Sequence, residues 1–238
     1  MRTRYFVAAQ SLRGAIAAYS KRFNFVELSL SEAPNDRALR RWRAAVPARF
    51  EFAVRVALTK ENLAEKPAKI VKPIISALHL LRSRLVVVST DRSITPGAST
   101  RDALAKLFQA LPNDAATTVW EPRGLWEAEA AERAAKDWGV TIAVDPLKDP
   151  IPKGNVAYLR VRSLGGVRRA STDSLAKLVR EVGDRKEAFV VFESEEALAL
   201  GKELRRLTNV PKKQTGGMSR VLRPRAALPF KVADDEQE

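Results

Sequence analysis

The chain is 238 residues long, 45% hydrophobic and 29% charged, with a formal net charge of +14. It has no cysteine and a single histidine, His79, which excludes disulfides, thiolate metal sites, a cysteine nucleophile and any mechanism that needs two imidazoles. No apolar run approaches the ~20 residues of a membrane span, and the N-terminal apolar run is too short for a signal-peptide core, so a cytoplasmic protein without a membrane role is expected.

Short β-rich runs alternate with amphipathic segments along most of the chain. "RYFVAA" (4–9) reads as a strand and 11–22 as a helix; "FNFVELS" (23–29) is the second strand, and Asn35 and Asp36 cap a helix to Ala45. "FEFAVRVA" (50–57) is the third strand, after which Pro67 opens a helix to about Leu81. "LVVVST" (85–90) precedes a helix over 100–110, and "ATTVWE" (116–121) precedes one over 125–138 that Gly139 ends. "VTIAVD" (140–145) leads into the Pro-rich "PLKDPIPKGN", where a helix would otherwise fall. "VAYLRV" (156–161) with a helix over 172–182, and "EAFVVFE" (187–193) with a helix over 194–207, complete the pattern.

Eight near-continuously apolar strands with helical crossovers imply a parallel sheet covered on both faces. An open doubly wound sheet fits the alternation too. Eight units in this length, with no Gly-rich dinucleotide fingerprint after the first strand, favour a closed (β/α)₈ barrel of the TIM type, lacking the helix after its sixth strand. The barrel is assigned to residues 1–208. Residues 209–238 form a tail that is first basic ("PKKQTGGMSRVLRPRAALPFK") and then acidic ("ADDEQE").

In such a barrel the functional face is the carboxyl end of the strands. The polar residues there are Glu27, Ser29, Arg55, Ser89, Glu121, Arg123, Asp145, Arg160, Arg162 and Glu193. Strand alternation points Val119, Glu121 and Arg123 one way, and likewise Tyr158, Arg160 and Arg162, while Trp120 faces the helices. Arg55, Arg123, Arg160 and Arg162 could grip an oxyanion. The carboxylates could instead hold Mg²⁺ or Mn²⁺ for phosphodiester hydrolysis, with Glu27 or Glu121 catalytic. Equally, the charges could neutralise one another as a structural network.

The positive charge is uneven. Residues 1–60 hold twelve Lys and Arg against four acids, and Arg37, Arg40, Arg41 and Arg43 crowd one short helix beside Trp42. These arginines and the tail residues Lys212, Lys213, Arg220, Arg223 and Arg225 are the candidate nucleic-acid contacts. A solvated basic face is the alternative reading.

Several segments resemble the YecE-like family, domain of unknown function 72. "YSKRFNFVEL" is similar to its Tyr-x-x-x-Phe-x-x-Val-Glu segment, through Tyr19, Phe23, Val26 and Glu27. "RWRAAVPARFEFAVRV" resembles its Trp-x-x-x-x-Pro-x-x-Phe-x-Phe-x-x-Lys stretch, with Arg55 in the place of lysine. "WEPRGLW" resembles Glu-x-Arg-His-x-x-Trp, one residue shorter and without the histidine. "YLRVRS" resembles Tyr-x-Arg-x-His-Gly, with Arg162 in the histidine's place. The resemblance implies a TIM-type barrel and a site at its mouth, and the motif histidines are absent here.

Together these readings lead to a basic barrel protein that binds nucleic acid, RNA or ribosome rather than DNA, with no retained catalysis and no cofactor. The alternative is an enzyme acting on a phosphorylated or nucleic-acid substrate at the barrel mouth, with Mg²⁺ or Mn²⁺ only in that case.

Overall fold

A computed structural model describes residues 2–12, 14–32, 35–162 and 170–209. Eight parallel strands, β1 (Arg4–Ala9), β2 (Phe25–Ser29), β3 (Glu51–Leu58), β4 (Leu85–Thr90), β5 (Thr117–Glu121), β6 (Thr141–Val144), β7 (Val156–Arg162) and β8 (Glu187–Glu193), hydrogen-bond in the order β1-β8-β7-β6-β5-β4-β3-β2. The helices are α1 (Ile16–Ser20), α2 (Asp36–Ala44), α3 (Lys60–Leu63), α4 (Pro67–Leu81), α5 (Ala98–Ala110), α6 (Ala128–Asp137), α7 (Thr172–Val182) and α8 (Ala197–Asn209). This is a nearly closed TIM-type barrel, and no helix separates β6 from β7, as the proline-rich connector implied. The expected basic and acidic tail, with Lys212, Lys213, Arg220, Arg223 and Arg225, lies outside the described residues.

Strand alternation divides the apolar residues between two cores. Phe6, Phe25, Leu85, Val87, Val119, Tyr158, Phe189 and Val191 fill the barrel interior, with Phe6 and Phe189 stacked at 4.7 Å between ring centroids. The opposite set packs beneath the helices. There Trp120 meets Trp126 edge-on at 4.7 Å and Trp138 at 5.0 Å, so it faces the helices as its position in the strand predicts.

Side chains close the seam between the sheet's two ends, β1 and β2. The Asn24 amide accepts from Val7 N at 2.7 Å and donates to Tyr5 O at 2.8 Å, and the Tyr19 hydroxyl accepts from Ala9 N at 3.0 Å. Backbone groups that a strand neighbour would satisfy are thus paired by side chains instead. Asn24→Ala strands a carbonyl and an N–H at a half-buried seam. It should cost about 2 kcal/mol or more in urea-monitored unfolding; wild-type stability in that variant would mean that water takes over both groups.

Three helices start later than their apolar pattern implies, α8 at Ala197 rather than residue 194 among them. The first begins at Ile16 rather than residue 11, because Gly14 (φ +76°) turns the chain before it. The sixth begins at Ala128 rather than residue 125, because Leu125 lies exposed in the turn after Gly124. A short helix, α3, was not anticipated; Thr59 and Asn62 form a reciprocal capping box at its start.

Candidate functional site

The carboxyl ends of β2, β3, β5, β7 and β8 each place a charged side chain inside the upper barrel, above the apolar filling. Arg160, only 1% exposed, is the centre. Its Nη1 donates to both Glu27 oxygens at 2.9 and 2.7 Å, its Nε donates to Glu193, and that Nε also lies 3.4 Å from Glu121 Oε1. The Tyr158 hydroxyl donates a short hydrogen bond to Glu27 from below.

Glu121 is the second hub, 1% exposed. Its Oε1 accepts from Arg123 Nε (3.1 Å) and Nη2 (2.9 Å) and from Arg162 Nη2 (2.7 Å), and its Oε2 from Arg55 Nη2 (3.1 Å). Arg55 Nη2 also reaches Ser89 Oγ at 3.2 Å, and Arg162 Nε reaches Glu193 at 3.3 Å. Arg55 Nε lies 3.1 Å from Glu27 but is not aligned to hydrogen-bond with it. Among the described residues, Arg160 Nη2 is buried with no acceptor. Ser29 lies outside this network, bonded to Ser31 at 2.9 Å. Asp145 is buried at the rim, where it accepts from Leu147 N at 3.1 Å.

Local backbone geometry sets Arg123. Gly124 adopts φ +83°, and a Cβ there would sit 2.9 Å from the carbonyl of Arg92, so only glycine lets the turn after β5 lie against the turn after β4.

The network holds Glu121 and Arg160 in their charged forms. Burial pushes the Glu121 carboxyl up, but Arg160, Arg55 and Arg123 more than offset this and hold it below the usual carboxylate range. Burial opposes the Arg160 charge, and Glu27 and Glu121 overcome it, so the guanidinium stays protonated. Burial and then the Glu27 charge keep the Tyr158 phenol protonated. Burial raises Asp145, against the pull of the Leu147 N–H and of Arg162. A carboxylate held down by guanidiniums is a weak proton acceptor, which makes Glu121 a poor general base. Among the described residues no group of three or more His, Asp or Glu is placed to hold a metal ion, and Glu27, Glu121 and Glu193 are each engaged by arginine.

The four arginines of α2 divide. Arg37, Arg40 and Arg41 share one exposed face. Arg43 instead donates to the carbonyls of Phe50 (2.8 Å), Val46 (3.4 Å) and Pro47 (2.5 Å), tying the end of α2 to the start of β3. His79 is exposed on α4. Sequence reasoning did not single out Arg92 or Lys148, which line a cleft beside the mouth; both lie in turns just beyond strand ends, and that position is the only signal they carry.

The sequence profile described as "Protein of unknown function DUF72" matches residues 4–226. The chain belongs to the DUF72 family. It is similar in structure to a DUF72 family protein from Thermotoga maritima MSB8 (TM-score 0.65, 16% identity, covering 86% of this chain and 98% of that one). It is also similar to one from Enterococcus faecalis V583 (0.67, 15%, 88% and 99%). An L-ribulose 3-epimerase shares the barrel at TM-score 0.56 and 13% identity, covering 87% of this chain and 93% of its own. At these identities the likeness is one of fold. No match was found among curated protein sequences.

Removing one member of a buried charge network leaves its partners uncompensated, at a cost of roughly 3–5 kcal/mol. Glu121→Gln should therefore lower stability by about that much at pH 7. Because the folded carboxyl sits below its ordinary 4.5, the stabilisation is fully present above about pH 4.5 and disappears as pH falls through the lower folded value. Urea unfolding of wild type and variant from pH 7 to pH 3 should show two curves converging at the acid end. Curves already coincident at pH 7 would show that the ion pairs at Glu121 contribute no stability.

Proposed function

We propose that this DUF72 protein binds nucleic acid, with RNA as the preferred form, through a basic face built on α2 and α4 and the turns at the amino end of the neighbouring strands. One observation carries the reading: these exposed cations have no ion-paired acid among the described residues. On α2, Arg37, Arg40 and Arg41 point to solvent, with Asp36 the helix's one acid; α4 exposes Lys72 and contains no Asp or Glu. The turns before β3 and β4 add exposed Arg49 and Arg82. Burial lowers the Arg43 guanidinium; Glu51 counters this, and the like charge of Arg82 adds to the lowering, as expected where cations crowd. A polyanion relieves that repulsion and releases counterions as it binds.

RNA is preferred because both helices lie flat on the barrel through Ala38, Leu39, Val71, Ile74 and Leu78. Neither projects as a helix entering a DNA major groove would. Arg43 serves as a structural clamp, and the surface role rests on its three neighbours.

In fluorescence anisotropy with a single-stranded RNA, wild-type affinity should fall steeply with salt. Arg37→Gln/Arg40→Gln/Arg41→Gln should bind at least tenfold more weakly and flatten the log–log salt slope by about 2, near 0.7 per lost phosphate contact. Equal affinity and slope in the triple variant would remove the basis for this face. Tighter binding to duplex DNA than to RNA would overturn the preference.

A further inference from the structure

The absent helix after β6 leaves a cleft of about 750 Å³ between α6 and the β6–β7 connector, and this cleft opens onto the barrel mouth at Glu121, Arg123, Arg162 and Glu193. We propose that it binds a small organic molecule bearing one oxyanion, a phosphate monoester or a carboxylate, held by Arg123 and Arg162. The volume lies in the range of ligand pockets.

The wall in place of the helix is fixed in position. Arg185 donates to the carbonyls of Ile151 (3.2 Å) and Pro152 (2.6 Å) while also holding those of Glu181 and Val182 at the end of α7. Asp145 pins the connector's other end through Leu147 N. Pro122, Trp126, Ile142 and Val144 supply apolar lining.

The arginines arrive already organised. Arg123 and Arg162 donate to the same oxygen of Glu121, at 2.9 and 2.7 Å, so one buried carboxylate holds two like charges side by side. They remain 42% and 32% exposed, and among the described residues the Nη1 group of each has no acceptor. A pair of outward-facing guanidiniums whose approach to one another is already compensated recognises an oxyanion with little further ordering cost.

The rest of the cleft limits what is attached to that oxyanion. Glu132, Asp145 and Asp149 line it beside Lys148 and Arg92. Carboxylates repel a second negative charge and accept hydrogen bonds from hydroxyls, so the body is neutral and hydroxylated. A nucleic-acid strand does not fit this description, which separates the cleft from the α2–α4 face.

Isothermal calorimetry with glucose 6-phosphate, gluconate, glucose and potassium chloride at matched ionic strength tests the proposal. Saturable binding of glucose 6-phosphate or gluconate, at least tenfold weaker in both Arg123→Gln and Ala128→Trp, is the expected result. Whichever compound binds identifies the oxyanion. Ala128 is exposed on the cleft's α6 wall, so its replacement obstructs the cleft without touching the ion network. Arg37→Gln/Arg40→Gln/Arg41→Gln should bind these compounds as wild type does, so the two readings fail separately. No binding beyond chloride, equal binding of glucose, or wild-type affinity in either cleft variant with its circular dichroism unchanged would overturn the proposal.

Discussion

A guanidinium enclosed inside a barrel must be neutralised by carboxylates enclosed with it, and Arg160 imposes that condition on the whole upper end of this molecule. Glu27 on β2 and Glu193 on β8 pair with it, and Glu121 on β5 lies beside it. Glu121, buried in turn, needs its own cations from β3, from the turn after β5 and from the end of β7. Desolvation makes each of these charges costly alone and tolerable only as a set. The network therefore spans five strands around the barrel. It fixes which side chains can point outward, and the two that do so on the cleft side are the two whose bonds to Glu121 leave an amino group without an acceptor among the described residues.

The lower barrel meets the opposite requirement, filled by stacked aromatic rings and branched aliphatics. The transition occurs within β7, where Tyr158 packs its ring among Phe25 and Phe189 and turns its hydroxyl to Glu27. At the seam, Asn24 does for the backbone what the glutamates do for the arginines, satisfying polar groups the fold would otherwise bury unpaired.

The sequence carried most of the architecture because strand alternation and helix-boundary signals are local. Pro67 at the start of α4 and the Asn35 cap of α2 mark helices whose starts follow from residues within one turn. Strand phase likewise put Glu121 and Arg160 inside and Trp120 outside. The contacts were not readable, since Glu27 and Arg160 lie 133 positions apart and meet only when the barrel closes. Arg43 shows the limit most clearly. In sequence it is indistinguishable from Arg40 and Arg41, yet its place on the inner edge of α2 turns it toward three carbonyls. Asn24 likewise reads as the start of the second strand, yet it lies just before β2 and its amide serves the backbone of β1.

The mouth of the barrel and its α2–α4 side treat positive charge differently, and that difference is the strongest constraint on partners. At the mouth every arginine of the network has a carboxylate, so the local field is small and recognition depends on directed N–H groups over a few ångströms. On the α2–α4 side Arg84 pairs with Glu187 and Glu51, and Lys69 with Glu65, but Arg37, Arg40, Arg41, Lys72, Arg49 and Arg82 have no ion-paired carboxylate among the described residues, and their field extends about a Debye length, ~8–10 Å, into solvent. A short-range, geometry-dependent site selects a small molecule by shape, whereas a longer-range field collects an extended anion with little regard to shape. On the proposed roles, the acids of the cleft disfavour a phosphate chain and the solvent-facing cations of α2 act through their field, so the two surfaces call for different partners.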